Sequence, residues 1–336
     1  MDRAKLLALL TWAGIASPSV AQVPRAFYDA VGPKLPYLFV EPVSTTRQLA
    51  VPEPLPWDAP PSIPEPSPPL PFLERIEFQP HAEATHLLKM GDKGFGITDL
   101  EAQLALTIPL GDGIAPLKLV PGAAMRWWDG PSSSSTIGQP DLPARVYDSY
   151  VDIGWRPRPA EWLFIDLKVT PGFYSDLENT SHAAFRPRGQ GLAIIALSEQ
   201  FQIVAGVVYV NRVLTKVVPA GGIRWAPNED TEFRLVFPAP RISRRICTWK
   251  ETKLRVYLSG EFGGGAWGIR RDDGQNDVVD YSDIRLISGL EAELPGDRRW
   301  YTEFGYAFNR RIDYASGVPS TFWPSDNVLF RAGFTY

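Results

Sequence analysis

The chain has 336 residues, a formal net charge of −4 and one cysteine, Cys247. The mildly acidic balance leaves no basic footprint for nucleic acid, and a lone thiol excludes an internal disulfide framework and any multi-cysteine metal site. No run reaches the roughly 18 apolar residues of a membrane helix, and the counts of 33 prolines, 28 glycines and 11 tryptophans are unusual.

The first segment is short and apolar. Arg3 and Lys5 precede "LLALLTWAGIA" (residues 6–16), and Ser19 and Ala21 supply small residues at −3 and −1 of a cleavage point. This is the pattern of a secretory signal peptide over residues 1–21, which places the mature chain outside the cytoplasm. The residue just after that point is Gln22 and not cysteine, so a lipid anchor is not expected. Residues 22–50 show no steady period. In 52–71, "PEPLPWDAPPSIPEPSPPLP", ten of twenty residues are proline. Fixed φ and missing donors bar helix and sheet there, so 22–73 reads as an irregular, extended leader or linker. The folded domain spans 74–336.

From residue 74 onward the dominant period is two. In "VYDSYVDIGW", Tyr147, Val151, Ile153 and Trp155 oppose Asp148, Tyr150 and Asp152. In "LFIDLKVTPGF", Leu163, Ile165, Leu167 and Val169 oppose Asp166 and Lys168. The same alternation sets Ile284, Leu286 and Leu290 against Asp283, Arg285 and Glu291, and Trp300, Phe304 and Tyr306 against Glu303 and Arg311. Such runs are strands with two different environments. About fourteen are expected, near 76–90, 95–109, 115–128, 145–156, 161–174, 189–198, 200–211, 213–226, 231–237, 240–246, 252–270, 281–294, 299–312 and 327–336. Pro238 and Pro240 leave twelve as the alternative, should 231–246 be one bent strand. Gly263, Gly264 and Gly265 shift the apolar phase, which predicts a bulge or bend.

Short connections alternate with long polar ones, the pattern of an up-and-down meander. Tryptophans crowd the short-turn end: Trp155, Trp162, Trp225, Trp249 and Trp300. They read as half of an interfacial aromatic girdle. Large apolar faces opposite charged ones suit a sheet with its greasy side in lipid. Unpaired edges are too costly there, so the sheet must close. The expected fold is all-β: a closed antiparallel up-and-down transmembrane β-barrel with no transmembrane helix.

The chain ends "VLFRAGFTY", with Val328, Phe330, Ala332, Phe334 and Tyr336 on one face. That ending resembles the final strand of bacterial outer-membrane β-barrels, with Tyr in place of the more usual terminal Phe. "GFGITDLE" (94–101), "VTPGFYSD" (169–176) and "EFGGGAWGIRR" (261–271) are similar to segments of a porin-like family of such proteins. The resemblance implies an outer-membrane location, a periplasmic leader, surrounding lipid, and a terminal strand read by the barrel-assembly machinery. Oligomeric state is left open.

Catalytic and cofactor signals are thin. His81 and His86 fall on opposite faces of the first strand, and Ser181 and His182 are neighbours without the facing geometry of a nucleophile and its base. "SGEFGGGAWG" lacks the context of a phosphate loop, and the acidic run from Asp272 to Asp283 lacks calcium-loop spacing. No enzyme activity, metal or cofactor is expected, with an outer-membrane hydrolase as a distant alternative. Alternation points Asp152, Asp166, Lys168, Arg224, Arg234, Arg255, Glu261, Asp283, Arg285, Glu303, Arg311 and Arg331 into the lumen. Mixed signs there suit a passive, porin-like channel for ions or small solutes with weak charge selectivity. A non-conducting structural or surface-interaction barrel, plugged by side chains or by the leader, is the alternative.

Overall fold

The computed structural model describes residues 77–336 except 92, 111–114, 131–139, 297 and 319–320. The expected signal peptide and leader lie outside the described residues. The strands are β1 (Glu77–Leu87), β2 (Gly96–Ile108), β3 (Leu117–Asp129), β4 (Arg145–Trp155), β5 (Leu163–Thr170), β6 (Gly172–Ser175), β7 (Arg188–Ala196), β8 (Phe201–Tyr209), β9 (Val217–Trp225), β10 (Thr231–Phe237), β11 (Arg241–Trp249), β12 (Thr252–Arg270), β13 (Asn276–Glu293), β14 (Arg299–Tyr314) and β15 (Asn327–Thr335). β5 and β6 are two halves of one barrel strand, parted at Pro171, which has no amide hydrogen to give a ladder. The barrel therefore has fourteen strands, and 231–246 is a hairpin of two. No helix among the described residues is long and apolar enough to cross a membrane.

Each strand pairs antiparallel with its chain neighbour, and β1 closes the ring against β15 from His81↔Thr335 to Leu87↔Leu329. Beyond the last pair, the Tyr336 amide donates to Pro80 O at 3.0 Å. Connections alternate between a turn end, where β1 begins and β15 finishes, and a long-loop end. The outward face exposes Leu100, Val169, Val207, Leu258, Leu286, Phe304 and Phe330. A closed sheet with an apolar outer surface and a charged inner one is the architecture of an outer-membrane β-barrel.

The wall is uneven in height. β7, β8, β9 and β11 have nine residues each and β10 has seven, whereas β12, β13 and β14 have 19, 18 and 16. Above the low wall the tall strands close on one another. Ser175 of β6 bridges Gly268 of β12 in parallel, and the Asp176 amide donates to Gly268 O at 3.1 Å. Fourteen strands thus taper to a ring of nine: β1–β4, β6 and β12–β15. This ring encloses a buried cluster that includes Phe95, Trp128, Trp267, Tyr281, Ile312 and Tyr314. Trp128 meets Trp267, and Phe95 meets Tyr281, edge to face at 5.3 Å, the offset geometry aromatic pairs favour. A second apolar cluster lines the inside of the low wall, with Leu192, Ile194, Val204, Val208, Val218 and Val236.

The three glycines do not break their own ladder, which runs unbroken from Lys253↔Glu293 to Arg270↔Asn276. Gly264 has φ +91°, and a Cβ there would strike the Tyr281 carbonyl, so glycine is required. The bulge lies one ladder away. On β14, Asn309 (φ 51°) and Arg310 together face the single Asp283, an added residue that reverses the phase of everything after it.

Candidate functional site

The lumen is built by alternation, one inward side chain in two, and its charges are arranged in cross-strand groups. At the centre of the tall wall, Arg331 of β15 reaches Glu261 of β12 at 2.5 Å and Glu303 of β14 at 2.8 Å. Arg285 binds Glu261 at 3.2 Å and Asp283 at 2.9 Å. Tyr257 donates to Glu303 at 2.5 Å, and Tyr301 donates to Glu83. The side chains of Arg331 and Glu303 are 0% exposed. Nearer the long loops, Arg126 of β3 joins Asp99 of β2 at 2.7 Å and Asp148 of β4 at 2.8 Å, and the Trp267 indole donates to Asp148 at 2.6 Å.

The remaining expected lumen residues lie in other sectors. Asp152 accepts from Lys168 at 3.1 Å and from Thr170 at 2.5 Å. Asp166 is buried and ion-paired with Arg156 at 3.1 Å. Arg224 and Arg234 are buried side by side on β9 and β10, with Glu232 3.3 Å from Arg224. Arg255 meets Glu293 at 3.1 Å near the turn end. Arg311 is the exception. The bulge turns it out of the inward set, beside Asp313 at 2.6 Å and the Trp323 ring at 5.4 Å. Arg310 takes the inward place, giving hydrogen bonds to Tyr281, Ser325 O and Phe95 O.

The expected girdle residues Trp155, Trp162, Trp225, Trp249 and Trp300 are all exposed and all at the turn end. On β15, Phe330, Ala332, Phe334 and Tyr336 are exposed and Val328 is half-buried, while Leu329 and Arg331 are buried. His81 faces inward and hydrogen-bonds Thr335 at 2.9 Å, His86 faces outward beside Thr98, and His182 lies in the 176–187 connection. The three imidazoles do not converge.

Sequence reasoning missed Arg310 because the bulge hides it, and Arg212 because it lies in a connection, outside any alternation. Arg212 is 1% exposed. It donates to Asp280 at 2.9 Å, to Gly263 O at 3.3 Å, to Gly265 O at 3.2 Å and to Tyr281 O. That pins the β8–β9 tip to the glycine stretch of β12. Asp99 and Asp148 were passed over too, although both sit on the charged phase of expected strands, the signal that could have found them.

Several buried side-chain polar atoms have no hydrogen-bond partner among the described residues. Among them are both amide atoms of Gln190, Ser259 Oγ, the Tyr174 hydroxyl and Arg224 Nε. All belong to inward-facing residues.

No family model and no curated protein matches the chain. Among solved structures it is similar to the KdgM porin, with 8% identity, 76% of this chain and 98% of that chain covered, and a TM-score of 0.32. An outer-membrane channel from Pseudomonas putida F1 shares 13% identity over 77% of this chain and 94% of that one, with a TM-score of 0.36. A TodX deletion mutant, a monoaromatic hydrocarbon channel, shares 9% over 78% and 89%, also at 0.36. The likeness is confined to architecture.

Proposed function

We propose that the protein is a porin-like outer-membrane channel for small solutes that stands closed at its long-loop end. The carrying observation is the set of inward polar groups without a hydrogen-bond partner among the described residues: both amide atoms of Gln190, Ser259 Oγ, the Tyr174 hydroxyl and Arg224 Nε. An unpaired buried polar group costs about 1–3 kcal/mol, so these positions favour a wet lumen. Barrel size agrees, because eight strands are about what side chains alone can fill. Selectivity by charge is weak in this reading, since Arg331 and Arg285 are matched by Glu261, Glu303 and Asp283 rather than forming a ring of one sign.

The filled nine-stranded ring favours a second reading, a barrel that does not conduct and serves a structural or surface role. Planar-bilayer recording of the folded protein separates the two. Small, infrequent, salt-dependent steps with a reversal potential near zero in a salt gradient support the channel. Silence at all voltages, with insertion verified, leaves the structural barrel. An enzymatic role has no support in the arrangement of the described residues.

A further inference from the structure

At the long-loop rim of the low wall, cations outnumber acids. Arg186 precedes β7 by two residues and donates through Nε to Asn211 O at 3.0 Å, through NH2 to the same carbonyl, and through NH1 to Ala183 O at 3.4 Å. Lys216 Nζ lies 3.4 Å from Asn211 Oδ1. One asparagine therefore holds two cations, through its backbone and through its side chain. Arg188, at the start of β7, lies 3.8 Å over the Tyr174 ring. The nearby acid is Asp280, and both its oxygens are engaged, Oδ1 by Arg212 and Oδ2 by the Val213 amide at 2.8 Å. The described contacts of Arg186, Arg188 and Lys216 include carbonyls, an amide and a ring, and no carboxylate.

These groups act on each other. Burial holds the Arg186 guanidinium below its ordinary pKa; Asp280 opposes this, and Arg188 and Arg212 add to the lowering. Burial and then Arg186 lower Lys216 in the same sense. An anion placed among them would relieve that repulsion and form charge-assisted hydrogen bonds, which are the stronger kind.

The height of the rim suggests where the anion comes from. β7, β8 and β9 are nine residues long, close to the roughly 9–11 residues of a tilted membrane strand. Their upper ends carry exposed Tyr209, Leu214 and Val217. Arg188, opposite buried Thr170 and over the buried Tyr174 ring, is on the inner side of this rim, so an anion reaches the cations from the lumen mouth or over the top of the nine-residue wall at headgroup level. We propose that Arg186, Arg188 and Lys216 form a binding site for a phosphate group, supplied by a lipid headgroup or by a free phosphate at the same level.

The test uses the folded full chain in nanodiscs of phosphatidylcholine with phosphatidic acid, and the Arg188→Gln/Lys216→Gln double variant beside it. Arg186 is left intact because it anchors Asn211, and heat-modifiable gel migration verifies that the variant is folded. Native mass spectrometry should find phosphatidic acid retained over phosphatidylcholine by the wild type, with retention at least fivefold lower in the variant. Calorimetric titration with inorganic pyrophosphate in detergent identifies the source. Binding that the variant loses supports a free anion as ligand, and lipid retention without pyrophosphate binding supports the headgroup. Equal retention of the two lipids with no pyrophosphate binding, or identical behaviour of wild type and variant, overturns the proposal.

Discussion

Arg331 and Phe304 sit on neighbouring strands with opposite environments, and each predicts a different cost of substitution. Arg331 is enclosed with Glu261 and Glu303. Removing one partner from such a group leaves buried charge uncompensated, and Arg331→Gln is expected to cost about 3–5 kcal/mol. Urea titration of the protein refolded in lipid measures this; a cost below about 1 kcal/mol would mean that the acids are not held by Arg331. Phe304 faces outward and is 54% exposed, so Phe304→Arg is expected to cost about 2–4 kcal/mol near mid-membrane in the same titration. No loss there would remove Phe304 from lipid. Alternation alone makes Glu303→Arg cheap, because position 303 faces the lumen. The contacts reverse that expectation, since the new guanidinium would face Arg331 and strand the Tyr257 hydroxyl.

At the scale of elements, period-two patterning made the strands legible because one face of each meets lipid and the other does not. It failed where that contrast ends. β13 starts at Asn276 rather than near 281, because "NDVVD" is paired in the tall hairpin, where both faces are buried and nothing alternates. Arg311 was misread for a local reason: one added residue at Asn309–Arg310 reverses the phase, and nothing in "FNRRIDY" announces it. The nine-stranded ring was illegible, since it rests on contacts between distant segments: the parallel bridge of Ser175 and Gly268, and the Asn179 side-chain amide donating to Ile269 O and Asp277 O at 3.1 Å. Arg212→Gln is expected to release the β8–β9 tip from β12 and to lower hydrogen-exchange protection across Gly263–Asp283 at least tenfold. Unchanged protection would show that the tall hairpin holds itself in place. The terminal strand carries a separate expectation. β15 closes the sheet, with Phe334 opposite Ala82 and Tyr336 tied to Pro80. Phe334→Ser combined with loss of Tyr336 should lower the membrane-inserted fraction in blots of outer-membrane fractions. Full assembly without them would make the aromatic ending incidental.

At the scale of the whole molecule, the uneven wall has consequences beyond the lumen. The tall strands do not lengthen the surface that lipid meets: from Gly265 to Ile269 on β12 and from Asp277 to Asp283 on β13 both faces are buried, and the exposed apolar residues of that side, Val256, Leu258, Leu286, Phe304 and Tyr306, lie in the halves nearer the turns. Lipid of one thickness therefore suits both flanks, and the elastic cost of mismatch, about a fraction of a kcal/mol per ångström, does not separate them. A molecule built this way carries the extra height of its tall flank outside the membrane rather than within it. Beyond the membrane the two flanks differ, the β12–β14 side standing higher than the β7–β9 side, so what approaches the long-loop end meets a different profile from each side.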